Sequence, residues 1–174
     1  MPGHSERRAW LGLGGNIGDP VRAMATALDI IDADPATRVA AVSSLYRTPP
    51  WGKLDQPDFF NAAAEVATGL SPRGLLDLCL DAERKLKRVR AERWGPRVVD
   101  IDVLAFEGVS AREAGLDLPH PRMLERAFVL TPLAEIAPDL VVEGHTVADR
   151  AAALGGEGIV RLDGGSDWRR LRTP

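Results

Sequence analysis

Hydrophobic and polar positions alternate through FFNAAAEVAT, from Phe59 to Thr68. Phe60, Ala62, Ala64 and Val66 fall on one side and Phe59, Asn61, Ala63 and Glu65 on the other, the pattern of a strand that buries one face. On either side of this stretch the period lengthens. Val21, Met24, Ala25, Leu28 and Ile31 recur at helical spacing, and the spacing predicts a helix capped by Asp19, opened by Pro20 and ended near Pro35. After the strand, Gly69 breaks the pattern, Ser71 can cap and Pro72 can open a second helix through Leu75, Leu76, Cys79, Ala82 and Leu86 toward Arg90. Ala9 to Leu13 predicts a first strand, with the glycine-rich GGNIGDP as a tight turn into the first helix. Thr37 to Thr48 and Val98 to Leu104 predict two more strands, and TPPWGKLDQPD is a long loop of the kind that often carries function. Downstream, LPHPRMLERAFVLTPLAEIAPDL predicts a loop and a short helix opened or kinked by Pro132. Thr146 to Leu154 predicts another helix, Gly158 to Leu162 a last short strand, and WRRLRTP a solvated tail.

The order strand, helix, strand, strand, helix, strand predicts an α+β, ferredoxin-like (βαββαβ) fold with a C-terminal extension. Two helices would cover one face of an antiparallel sheet and leave the other free for a ligand. At 174 residues and 45% hydrophobic the chain suits one domain, 1–174, with residues 1–8 and 165–174 poorly ordered. The net charge of −3 argues against a broad grip on nucleic acid or an anionic membrane, so any anion site must be local. No apolar run approaches the roughly 20 residues of a membrane span, and MPGHSERRAW lacks the layout of a signal peptide. A cytoplasmic protein is expected. Cys79 is the single cysteine and falls in the apolar pattern LLDLCLDAE, which points to packing, while His4, His120 and His145 are too scattered for a zinc site.

Charge changes this picture at one place. Arg84, Lys85, Lys87, Arg88, Arg90, Arg93 and Arg97 fall within fourteen positions against one acid, Glu92. Such a run either faces an anion or is a solvated helix face. Immediately after it, Asp100 and Asp102 lie two apart and share one face of the predicted strand. They are either polar residues on an exposed face or a pair that repels unless a cation lies between them. Oxygen ligands beside a phosphate site favour Mg²⁺ over zinc, and such a pair can bridge two ions about 4 Å apart. Glycines 12, 14, 15 and 18 have the wrong spacing for a dinucleotide fingerprint, and no G-K-[ST] follows for a P-loop, which leaves a tight turn. Trp94, Phe59 and Phe128 are either core residues or walls for a flat ligand.

Taken together, LGGNIGD, SSLYRTPPWGKLDQPDFFNAA, RVRAERWGPRVVDIDVLAF and LPHPRMLERAFVLTPLAEIAPDL resemble the hydroxymethyldihydropterin pyrophosphokinase family. The likeness runs from Leu13 to Leu140, and RWGPR followed by DID, with YRTPP and DQPDFFN upstream, is its most specific part. It implies diphosphate transfer from ATP, the co-substrate, to 6-hydroxymethyl-7,8-dihydropterin in folate biosynthesis, with release of AMP. Asp100 and Asp102 would hold two Mg²⁺ ions, and the catalytic set would be these two with Arg88, Arg90 and Arg97. Phe59 and Phe128 would stack on the two faces of the pterin and Asn61 would read its edge. Thr48, Pro49, Trp51, Trp94 and Arg97 would complete that pocket. Glu83, Arg88, Arg90, Trp94, Arg97, His120 and Arg126 would serve ATP, with no role at Val103. The implied partners are the two small-molecule substrates, with no nucleic acid and no membrane, and the protein would be a monomer.

Three positions depart from the family's usual pattern: Lys87, Leu80 and Gly115. All bear on the ATP side, where Arg112 or Lys87 could replace a lost phosphate contact. Trp51, where an aliphatic residue is common, would narrow or cover the pterin pocket. Two competing readings are a ferredoxin-like nucleotide- or RNA-binding module without catalysis and an inactive relative that only binds ligand. The missing RNA-binding strand signature and the acidic balance speak against the first, and the intact aspartates against the second.

Overall fold

The computed structural model of the protein describes residues 5–50, 55–87, 98–162 and 164–170. In chain order these form β1 (Arg7–Gly15), α1 (Pro20–Asp32), β2 (Thr37–Val42), β3 (Tyr46–Thr48), β4 (Phe59–Thr68), α2 (Pro72–Lys87) and β5 (Asp100–Phe106). Then come β6 (Ala111–Glu113), β7 (Leu116–Leu118), α3 (Ala127–Ile136), β8 (Val141–Val142), β9 (His145–Thr146), α4 (Val147–Leu154) and β10 (Val160–Arg161). In the main sheet β1 lies between β4 and β5, β3 and β2 share the far side of β4, and β10 extends the edge beside β3, all antiparallel. This is the ferredoxin-like arrangement that the order of elements predicts.

Both helix starts follow their sequence signals. Asp19 Oδ1 accepts from the Arg22 N–H at 3.1 Å with Pro20 in the first turn of α1, and Ser71 Oγ accepts from the Gly74 N–H at 3.0 Å ahead of α2. Their apolar faces meet odd-numbered residues of β1 and even-numbered residues of β4. Leu11, Ala64 and Val66 thus share one core with Met24, Leu28, Ile31, Leu75 and Cys79. Each large side chain fully buried there contributes roughly 1.5–3 kcal/mol.

Four expectations change. The first strand does not stop at Leu13 but runs through Gly15, so Gly14 and Gly15 belong to the sheet rather than to a turn. The stretch Thr37 to Thr48 is two strands, because buried Ser43 and Ser44 replace ladder partners with their own side chains. Ser43 Oγ accepts from the Ala63 N–H at 2.8 Å and donates to the Ser44 carbonyl at 2.7 Å. The second sheet face is only half open, since α3 and α4 cover one end of it with a second core of Leu130, Leu133 and Met123 on Trp10, Ala63 and Leu104. Finally, the ends are built in further than expected. Arg7 and Arg8 already pair in β1, and residues Gly165–Arg169 form a 3-10 turn whose buried Trp168 donates to the Ser43 carbonyl at 2.8 Å.

Candidate active site

The open half of the second sheet face begins with glycine. Along LGLG in β1, Leu11 and Leu13 enter the first core, so Gly12 and Gly14 face the other way. In register, Gly14 lies between Asn61 of β4 and Asp100 of β5, and Gly12 lies between Ala63 and Asp102. Paired residues of adjacent strands share a face, so the two glycines form a floor bounded by Asn61 on one side and by both aspartates on the other. The floor has no room for a side chain at position 14: a Cβ there would stand 2.7 Å from Asn61 Oδ1. At Gly15 it would overlap the Val98 carbonyl oxygen.

The strand carrying the aspartates is held from behind. β5 is a sheet edge, and the Ile101 N–H, between the two aspartates, donates to Glu83 Oε1 of α2 at 2.7 Å. An outward N–H that would otherwise seek water is thereby fixed, and with it the direction of both carboxylates. Burial raises the Glu83 carboxyl above its ordinary value. The Ile101 N–H and Lys87 oppose that rise, and Asp100 and Asp102 add to it. Lys87 Nζ lies 3.7 Å from Glu83 Oε2, which makes it a neighbour of this support.

Two cavities open on either side of the aspartates. One, of about 710 Å³, is lined by Gly12, Gly14, Thr48, Phe59, Asn61 and Phe128. Here Asn61 Nδ2 donates to Thr48 Oγ1 at 3.1 Å, which orients its amide, and Arg126 lies 5.8 Å over the Phe128 ring. The other, of about 660 Å³, is lined by Leu76, Leu80, Glu83, Gly115, Asp117 and His120. Asp100, Asp102, Arg122 and Arg126 line both. His120 is lowered below its ordinary value by burial, against the pull of Asp102, and its Nδ1 accepts from the Arg122 N–H at 3.2 Å. A ring nitrogen that accepts belongs to a neutral imidazole with its proton on Nε2.

The structure therefore brings Thr48, Phe59, Asn61 and Phe128 into one cavity, Glu83 and His120 into the other, and Asp100, Asp102 and Arg126 to their seam. Pro49 falls outside the lining and sits against Gly158. Trp51, Arg88, Arg90, Trp94 and Arg97 lie outside the described residues. Leu80 and Gly115 do line the second cavity, but Arg112 does not: it donates to the Pro119 carbonyl at 3.2 Å and lies 3.7 Å from Glu143. Among the described residues no group of three or more His, Cys, Asp or Glu side chains could hold a metal, so a cation at the two aspartates would draw further oxygens from its substrate or water. Sequence reasoning missed the floor glycines and Arg122. The strict L-G-L-G alternation was the available signal for the glycines, and nothing local marked the arginine.

The comparisons with known proteins agree with one another. A family model described as 7,8-dihydro-6-hydroxymethylpterin-pyrophosphokinase (HPPK) matches residues 10–138. A Methylorubrum extorquens protein named 2-amino-4-hydroxy-6-hydroxymethyldihydropteridine pyrophosphokinase is 55% identical over 156 residues, covering 90% of this chain and 99% of its own. A Pseudomonas aeruginosa protein of the same name is 43% identical over 159 residues, covering 91% and 98%. Among solved structures, wild-type Plasmodium falciparum HPPK-DHPS with pteroate has a TM-score of 0.69 at 14% identity, over 85% of this chain and 44% of that one. The chain spans less than half of that larger protein, and at this identity the likeness speaks for the fold alone.

Proposed function

The chain belongs to the 7,8-dihydro-6-hydroxymethylpterin-pyrophosphokinase family, and on that premise we propose how its residues divide the work of moving diphosphate from ATP to 6-hydroxymethyl-7,8-dihydropterin. The observation that carries this division is the pair of cavities meeting at Asp100 and Asp102. The cavity with Phe59, Phe128, Asn61 and Thr48 suits a flat heterocycle with a hydrogen-bonding edge. The cavity with Glu83 and His120 takes ATP, where a neutral imidazole offers its Nε2–H as a donor. Transfer then occurs at the seam: the hydroxymethyl oxygen bonds to the β-phosphorus as the bond to the α-phosphate bridge breaks, the hydroxyl proton leaves to water, and AMP departs.

This chemistry asks for alignment and charge neutralisation more than for a covalent partner. Asp100 and Asp102 are the residues that would hold Mg²⁺, two ions in this reading, and the oxygen-only donor set over a glycine floor fits that cation. When bound, Mg²⁺ neutralises phosphate charge. Glu83 keeps the two carboxylates aimed by holding Ile101, and Arg126 supplies positive charge at the seam. Arg88, Arg90 and Arg97 add phosphate contacts, and Trp51 and Trp94 shield the pterin side. The RNA-binding alternative is not favoured, because four carboxylates, Asp100, Asp102, Glu125 and Glu157, line the cavity on the sheet face and would repel a phosphate backbone. We read the enzyme as a cytoplasmic monomer. Among the described residues no helix is long and apolar enough to cross a membrane.

The test is product identity. Supplied with Mg·ATP and the pterin alcohol, the protein forms AMP and the pterin diphosphate, chelation of Mg²⁺ stops the reaction, and Asp100→Ala or Asp102→Ala lowers turnover by orders of magnitude with the fold intact. ADP as product would overturn the reading.

A further inference from the structure

The seam between the two cavities has four shared residues among those described, and two of them are cations, Arg122 and Arg126. Arg126 belongs to the expected ATP contacts. Arg122 does not, and it lines both cavities. Its base is well fixed: the backbone N–H donates to His120 Nδ1 at 3.2 Å, the carbonyl accepts from the Glu125 N–H at 3.1 Å, and the next residue, Met123, is fully buried. Its guanidinium, by contrast, has no hydrogen bond or ion pair among the described residues. Several other arginines of the same half of the chain are engaged: Arg112 with Pro119 and Glu143, Arg150 with the Leu124 carbonyl, Arg161 with Ser44 and Glu135, Arg169 with Asp29 and Asp32, while Arg126 lies over the Phe128 ring. A cation anchored at its backbone, with no side-chain partner among the described residues and lining two adjoining cavities, is arranged for an anion that comes and goes. Leu80 and Gly115 offer no polar side chain to the ATP cavity, and Arg112 does not line it.

We propose that Arg122 is a further catalytic residue of the diphosphate transfer, its guanidinium gripping the β- and γ-phosphate oxygens at the seam, in bound ATP and more strongly as the group crosses to the pterin. The inference rests on the pyrophosphokinase reading. Because the alcohol substrate carries no phosphate, Arg122 contributes to ATP binding and turnover and leaves pterin binding alone.

Arg122→Ala, Arg122→Gln and Arg122→Lys test it by steady-state AMP formation, binding of a non-transferable methylene analogue of ATP, and fluorescence titration with the pterin alcohol. Loss of a charged hydrogen-bond donor from a phosphate site predicts kcat/KM for ATP lower by roughly tenfold to a hundredfold in the Ala and Gln proteins. The Lys protein recovers part of the loss, since it keeps the charge without the two-pronged geometry. Pterin affinity stays within about twofold, and melting curves match the parent because the residue is exposed. Wild-type kinetics in Arg122→Ala, or a parallel fall in pterin affinity, would overturn the proposal. If instead the unaltered protein forms no AMP, the family reading itself fails.

Discussion

Removing the carboxylate of Glu135 should unfasten the cavity of Phe59, Asn61 and Phe128 from behind. This residue, on α3, accepts from the Ser44 N–H at 2.8 Å, Ser44 Oγ at 3.1 Å and Tyr46 Oη at 2.7 Å, with Arg161 Nε at 3.7 Å. It thereby ties the helix that begins with Ala127 and Phe128 to β3, which ends in Thr48, and both line the cavity. A hydrogen bond to a charged acceptor is worth about 1.5–3 kcal/mol. The Ser44 hydroxyl keeps Arg161 as a partner, and water can reach part of the gap, so the two short bonds to Ser44 N–H and Tyr46 Oη decide the sum. Glu135→Ala is expected to lose about 3 kcal/mol, which lowers Tm by roughly 6–12 °C at this chain length. Glu135→Gln, with one acceptor left, should lose about half. Tyr46 is the only tyrosine in the chain and reports the same contact independently. Burial first, then the bond to Glu135 and its charge, raise the phenol from 10.0 to about 12. A raised folded-state value means that this contribution to stability is complete below pH 10 and is lost as pH climbs toward 12. In Glu135→Ala the burial effect remains, opposed by the charge of Arg161, so the phenolate absorbance should appear at lower pH and the alkaline loss of stability should span a narrower window. An Ala protein that melts with the parent and titrates its phenol unchanged would refute this account of how α3 and β3 are joined.

Two other expectations follow from the site. Gly14→Ala places a Cβ 2.7 Å from Asn61 Oδ1, so the amide must leave Thr48; KM for the pterin should rise about tenfold, a change of roughly 1.4 kcal/mol, while KM for ATP holds, and unaltered pterin affinity would show that the floor is not under the ligand. Burial, with Glu83 and Asp102 adding to it, pushes the Cys79 thiol up to about 12. Thiol reagents at neutral pH should therefore label it only through unfolding, with rates that follow the urea transition, and immediate labelling of the native protein would contradict its place in the core.

Much of this protein is legible without coordinates, for a physical reason. Burial on one face imposes a local period, so the alternation of Phe59 to Thr68 and the helical recurrence from Val21 to Ile31 report β4 and α1 directly, and Asp19, Ser71 and Thr146 mark helix starts through their own short hydrogen bonds. The two-residue spacing of Asp100 and Asp102 likewise places both on one strand face. Non-local packing decided the rest. Gly12 and Gly14 become a floor only because β1 is threaded in register between β4 and β5. Leu130 and Leu133 show an apolar helix in the sequence, but only the fold sends it to the sheet face expected to be open. Trp168 looked like part of a solvated tail until its indole met Ser43, 125 residues earlier in the chain. Arg122 carried no local signal at all. Periodicity tells each segment which of its faces is buried; what that face meets, and which charges converge at the seam, depends on contacts between distant residues that only tertiary structure brings together.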